Sequence, residues 1–133
     1  MSAVNAVQTA GLVALGGGAG SVARWLLARA VERWLPAAAV PVGVLAVNVV
    51  GCLVIGVVLG TSARGQPLAS ENARLLLATG LCGGFTTFAS FSHQALALLH
   101  ASRPGAALLY IGLSVGGGLL ATAGGLSLAR LLP

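Results

Sequence analysis

Apolar residues run almost unbroken through four stretches of this chain, at about residues 10–31, 40–61, 75–99 and 105–129. Polar breaks separate them: Glu32, Arg33 and Pro36 after the first, Arg64, Gly65, Pro67, Glu71 and Arg74 after the second, His100, Arg103 and Pro104 after the third. Only Arg24 and Arg29 interrupt the first stretch, and the last two carry no charge. A helix rises about 1.5 Å per residue and the hydrocarbon core is about 30 Å thick, so roughly 20 apolar residues cross it. The pattern predicts an all-α membrane protein of four transmembrane helices, with residues 1–133 as a single transmembrane domain. No stretch is left for an extramembrane catalytic domain. A cleaved leader is not expected, since no Lys or Arg precedes Arg24 and the first run is of full length.

Composition agrees. Strongly apolar residues make up 57% of the chain and charged ones 7%, where soluble chains carry roughly 25% charged residues; mean hydropathy is +0.98. A soluble globule of this make-up could not cover its core with polar surface. All seven basic residues are arginines, scattered singly, so the net charge of +5 makes no footprint for nucleic acid. Charge also bears on topology. An even number of helices puts both termini on one side, with Arg64, Arg74 and Arg130 near helix ends there and Arg29, Arg33 and Arg103 opposite. Three against three gives the positive-inside bias nothing to act on. One orientation under a weak bias stays open; insertion both ways would allow an antiparallel dual-topology dimer. Four short helices also enclose a polar path poorly alone, which again favours a dimer. The spacings Gly16/Gly20, Gly56/Gly60, Gly80/Gly84 and Gly112/Gly116 suit close helix approach.

A polar group in hydrocarbon is costly, and is usually hydrogen-bonded or functional. Asn48 stands near the middle of the second stretch, in Pro41-Val-Gly-Val-Leu-Ala-Val-Asn48-Val-Val-Gly51. Its amide can join helices or hold an anion. The third stretch carries Gly83-Gly84-Phe85-Thr86-Thr87-Phe88-Ala89-Ser90-Phe91. Adjacent glycines followed by β-branched threonines make poor helix, and non-helical backbone survives in a membrane only when buried in protein or lining a cavity. The third helix is therefore expected to break mid-membrane around residues 83–87, freeing groups of the kind that hold ions in discontinuous helices. All three phenylalanines of the chain lie here. Phe88 and Phe91 share a face; their positive ring edges can line an anion path, or the pair can simply pack. In the fourth stretch Tyr110, Ser114, Gly118 and Thr122 fall on one stripe, whose hydroxyls either donate inward or bond back to helix carbonyls. Arg24, about one turn inside the first stretch, can snorkel to the interface without further role.

No Asp or Glu lies within the four stretches. Proton-coupled and cation-selective paths normally use a carboxylate, whereas hydroxyls, an amide, ring edges and an arginine suit something negative. Cys52 and Cys82 lie in apolar runs and read as small hydrophobes, not as a disulfide or metal site. His93 and His100 are too few and too dispersed to ligate a metal. Ser92 and His93 cannot form a nucleophile pair, because helix neighbours do not face each other. An enzyme is not expected.

Together these segments resemble the Fluc/CrcB family of fluoride ion channels over nearly the whole chain. Gly16-Gly17-x-x-Gly20-x-x-x-Arg24 is similar to that family's N-terminal signature, with Trp25 where Tyr is usual. Gly43-x-Leu45-x-Val47-Asn48-x-x-Gly51 is similar to its Asn signature, and Gly83 to Phe91 looks like its third-helix motif, usually Thr-Thr-Phe-Ser-Thr-Phe. The resemblance implies an antiparallel homodimer in the cell (plasma or inner) membrane, with two pores that export cytoplasmic fluoride by passive conduction. By position it implies fluoride contacts from Asn48, from the ring edges of Phe88 and Phe91, and from a polar track of Tyr110, Ser114 and Thr122, with Ser90 beside them. It implies a vestibule arginine at Arg24, and a structural Na⁺ on the two-fold axis held by the backbone carbonyls of Gly83 and Thr86 from both subunits.

Three departures are visible. Ala89 and Ser90 replace the usual Ser-Thr, Gly118 interrupts the track, and Gln94 stands where Glu is frequent. They bear on the rate of permeation and leave open a paralogous partner in place of an identical one. Other readings share the size and span count. A small multidrug-type exporter needs a membrane Glu that the first stretch lacks; a proton-coupled fluoride exporter and a non-conducting assembly subunit complete the alternatives.

Overall fold

The computed structural model describes residues 3–64 and 70–132, with side chains from residue 5 onward. Gly65 and Pro67, assigned above to a polar connection, lie outside them. Helix α1 (Ala3–Trp34) and α2 (Val42–Ala63) are followed by a helical run that starts as α3 (Glu71–Arg74). This run widens to π geometry over Leu75–Cys82 and returns to α geometry as α4 (Gly83–Phe85). Then come α5 (Phe88–His100) and α6 (Pro104–Ala129). Four helical stretches, Asn5–Trp34, Val42–Ala63, Glu71–His100 and Pro104–Ala129, are long and apolar enough to cross a membrane.

Local chemistry sets the ends. Helix α1 stops just before Pro36, whose ring disfavours helical backbone at the residue ahead of it. Pro41 precedes α2 and Pro104 opens α6, where a fixed φ and a missing N–H are tolerated. Ser70 Oγ accepts from the Ala73 N–H at 3.2 Å, and Glu71 complements the positive end of α3. Past α5, Ser102 takes a left-handed φ of 57°. The Ser102 N–H bonds the Leu99 carbonyl at 3.0 Å and the Arg103 N–H bonds that of Leu98 at 2.9 Å, a reversal that usually employs Gly. Arg103 Nη2 then donates to the Ala39 carbonyl at 2.8 Å, tying this turn to the one between α1 and α2.

Glycines decide the packing. A Cβ on Gly125 would lie 2.8 Å from Val57 N and 3.0 Å from Gly56 Cα, so α2 and α6 touch backbone to backbone. A Cβ on Gly80 would lie 3.0 Å from Gly16 Cα, which brings α1 equally close to the π-wound segment. Without a hydrophobic drive between helices in lipid, such contacts supply the association. Gly112 and Gly116 differ: nothing lies within 4 Å of a Cβ on either. Small residues of α6 that meet α2 instead include Gly117 against Val49, Gly118 against Cys52 and Gly125 against Gly56. Gly125→Val should therefore cost at least the roughly 1–3 kcal/mol of an overpacked core, read as a lower unfolding midpoint in detergent. An unchanged midpoint would show that the two backbones do not meet there.

Candidate functional site

Thr86 (φ −82°, ψ 155°) and Thr87 (φ −149°, ψ 114°) have extended backbone between α4 and α5. Non-helical backbone was expected across residues 83–87; Gly83 and Gly84 instead stay helical. The reason lies in side chains from elsewhere. Asn48 Oδ1 accepts the Thr87 N–H at 2.9 Å, and Asn48 Nδ2 donates to the Thr87 carbonyl at 3.3 Å. Thr87 in turn caps α5, its Oγ1 accepting from the Ser90 N–H at 3.2 Å. In a continuous helix the Thr87 N–H would bond the carbonyl of Gly83, and the Ser90 N–H that of Thr86, four residues back. Both N–H groups are diverted, so these two carbonyls lose their usual donors. Thr86 itself is anchored, with N–H and Oγ1 both bonded to the Cys82 carbonyl at 2.9 Å.

Beside this extended pair lies a cavity of about 440 Å³. Asn48, Thr86, Thr87, Phe88, Phe91 and Ser114 line it, along with Gly83 and both cysteines. Two polar groups there are unspent. Asn48 Nδ2 has a second N–H beyond the one given to Thr87, and Ser114 Oγ is buried with no hydrogen-bond partner. Phe88 and Phe91 pack with centroids 5.6 Å apart and planes tilted by 47°. No charged side chain lines the cavity among the described residues. Proton donors and ring edges without a carboxylate make a surface for an anion. For a hard cation the donors are carbonyl oxygens, a type such ions accept. Gly83 and Thr86 fit, while no group of three or more His, Cys, Asp or Glu gathers among the described residues.

Residues 11–126 match the family described as CrcB-like protein, Camphor Resistance (CrcB). The chain belongs to the CrcB family. A CrcB relative from Rhizobium etli, named Fluoride-specific ion channel FluC, is 48% identical over 91% of this chain and 95% of its own. Another of that name, from Flavobacterium psychrophilum, is 40% identical over 93% of this chain and 98% of its own. The relatives are named as channels, not enzymes. With four span-length helices, this CrcB chain is a multi-pass membrane protein.

The remaining candidates do not line the cavity. Tyr110 is fully buried and does not line it; its hydroxyl donates to Gln94 Oε1 at 2.9 Å, and its ring lies 5.4 Å from that of Phe91. The tyrosine proton is thus spent, and the Gln94 amide N–H groups are the ones left to donate. Ser90 Oγ accepts from Thr87 Oγ1 at 3.3 Å and keeps its own proton. Thr122 and Arg24 are half-buried on α6 and α1, outside the cavity lining. Thr87 and Gly51 are the residues that the sequence did not single out. A side chain at Gly51 would collide with Thr86, which explains a glycine three residues after Asn48. That spacing was the available signal.

Proposed function

We propose that this chain is a fluoride-selective channel exporting cytoplasmic fluoride by passive conduction across the cell (plasma or inner) membrane. The observation that carries the reading is the cavity where Asn48, Ser114, Phe88 and Phe91 meet without a carboxylate. Family membership and the channel name of the relatives point to the same ion. Stripping water from a small anion without replacement costs on the order of tens of kcal/mol by Born estimates. The Asn48 N–H, the Ser114 hydroxyl and the edges of Phe88 and Phe91 replace that shell, and several moderate contacts let the ion leave again. Ser90 and Thr122 extend this path along α5 and α6, Tyr110 acts there by orienting the Gln94 amide that it bonds, and Arg24 draws anions to its mouth.

In this reading the extended pair Thr86–Thr87 is a mid-membrane break in the third span, within a single transmembrane unit. A second copy inserted in the opposite direction completes two antiparallel pores and covers Phe88 and the open faces of Gly112 and Gly116. A paralogous chain could take its place. The carbonyls of Gly83 and Thr86, doubled by the partner, would hold a structural Na⁺, which when bound gives positive charge to oxygens that have lost their helical donors. The test is efflux from proteoliposomes loaded with potassium fluoride, followed with a fluoride electrode after valinomycin sets the voltage. Voltage-driven fluoride efflux with negligible chloride is expected. Equal chloride flux would reject selectivity, and no flux from a verified dimer would reject the channel. Flux that follows an imposed pH gradient would favour a proton-coupled exporter, and transport of cationic drugs the multidrug type.

A further inference from the structure

We infer that Cys52 and Cys82 form a two-thiolate site for a soft metal cation inside the cavity that Asn48, Phe88 and Phe91 line. Both thiols are free and both line that cavity, one from α2 and one from the π-wound segment. Both stand close in the chain or in space to the extended pair. The Cys82 carbonyl takes the N–H and the hydroxyl of Thr86, and Cys52 follows Gly51, against which Thr86 and Phe85 pack. Cys52 Sγ also lies 3.3 Å from where a Cβ on Gly118 would stand. Residue 118 falls between Ser114 and Thr122 on the α6 stripe, so a thiol from the adjacent helix occupies the place that lacks a hydroxyl. Sulfur is a weak hydrogen-bond donor there, but the preferred ligand of soft metals.

Two sulfurs suffice for ions of the mercuric or silver type, which accept linear two-coordinate thiolate. As each sulfur–metal bond forms, the thiol gives its proton to water, and nothing is oxidised or reduced. The bound ion fills the space an anion would use. That consequence rests on the fluoride-channel reading; the site itself does not.

Mercuric ion titrated into the purified protein in detergent, with remaining thiols counted by a chromogenic disulfide reagent, should consume two thiols per ion bound. Cys52→Ser and Cys82→Ser should each weaken binding by more than the roughly 10–100-fold that follows loss of an outer-shell partner. In proteoliposomes the ion should stop fluoride efflux, a dithiol should restore it, and the double serine variant should conduct equally with and without the ion. Two ions bound per chain, or single variants that bind as tightly as the parent, would overturn the site. One ion per chain with both thiols consumed and efflux undiminished would overturn its place in the conducting path. Protein that passes no fluoride before metal is added fails the channel reading alone, and the thiol count still decides the site.

Discussion

Asn48→Asp should reduce fluoride efflux by on the order of 100-fold while the purified protein still folds. The exchange alters one atom of the side chain, Nδ2, which shares in the clamp on Thr87 and offers the remaining N–H. Oδ1 can still accept the Thr87 N–H at 2.9 Å, so half of the clamp on the extended pair survives. Nδ2 is lost, along with its bond to the Thr87 carbonyl at 3.3 Å and its second N–H. A carboxylate oxygen then stands against that carbonyl, and a negative charge stands where an anion must pass. An Asp at the centre of a membrane helix costs about 2.5–3.5 kcal/mol on insertion scales. A barrier raised by that much slows passage by roughly two orders of magnitude. Asn48→Ala is the companion variant: it removes the clamp without adding charge, so it should lower the unfolding midpoint more than Asn48→Asp does. Full conduction in the Asp variant would leave Asn48 as a structural clamp only.

The four helices were legible because length and apolarity decide them, and Glu32, Glu71, Arg103 and the prolines mark their ends. Asn48 and the Thr-Thr-Phe segment were conspicuous for a related reason, since polar and β-branched residues stand out in an apolar run. What the chain does with them was less readable. A sequence says that a membrane Asn needs a partner, not that the partner is the backbone of a residue 39 positions away. The low helix propensity of two glycines and two β-branched threonines, up to about 1 kcal/mol per residue, pointed to a break around residues 83–87. Within that window only Thr86 and Thr87 unwind, where Asn48 and the Thr87 hydroxyl supply specific hydrogen bonds. The π winding of Leu75–Cys82 left no trace, because Leu-Leu-Leu-Ala-Thr-Gly-Leu-Cys is apolar at either period. Gly118 read as a gap in a hydroxyl stripe, and only packing reveals that Cys52 fills it.

Phe88→Ile and Phe91→Ile separate the ring edges from ordinary packing, because the two rings are held so differently. Phe88 is 79% exposed on the single chain and touches Phe91. Phe91 packs on Tyr110 and on the cluster of Ala95, Leu98 and Ala107. Isoleucine keeps most of the volume, and such swaps usually cost under about 1.5 kcal/mol. The Phe91 variant should therefore unfold slightly earlier than the parent, and the Phe88 variant, whose ring packs little within its own chain, closer to the parent. Flux should not follow that order. If an anion at a ring edge gains what a desolvated cation gains over a ring face, about 2 kcal/mol, losing either ring should slow fluoride roughly 30-fold, and losing both should stop it. Phe85→Ile is the control within the same segment. A Cβ on Gly51 would come within 3.1 Å of the Phe85 ring, which packs that side chain against α2. Its loss should lower stability more than flux per folded protein. If flux tracks the unfolding midpoint across the three variants, with the Phe88 variant conducting like the parent, the rings are packing elements and the anion takes another path.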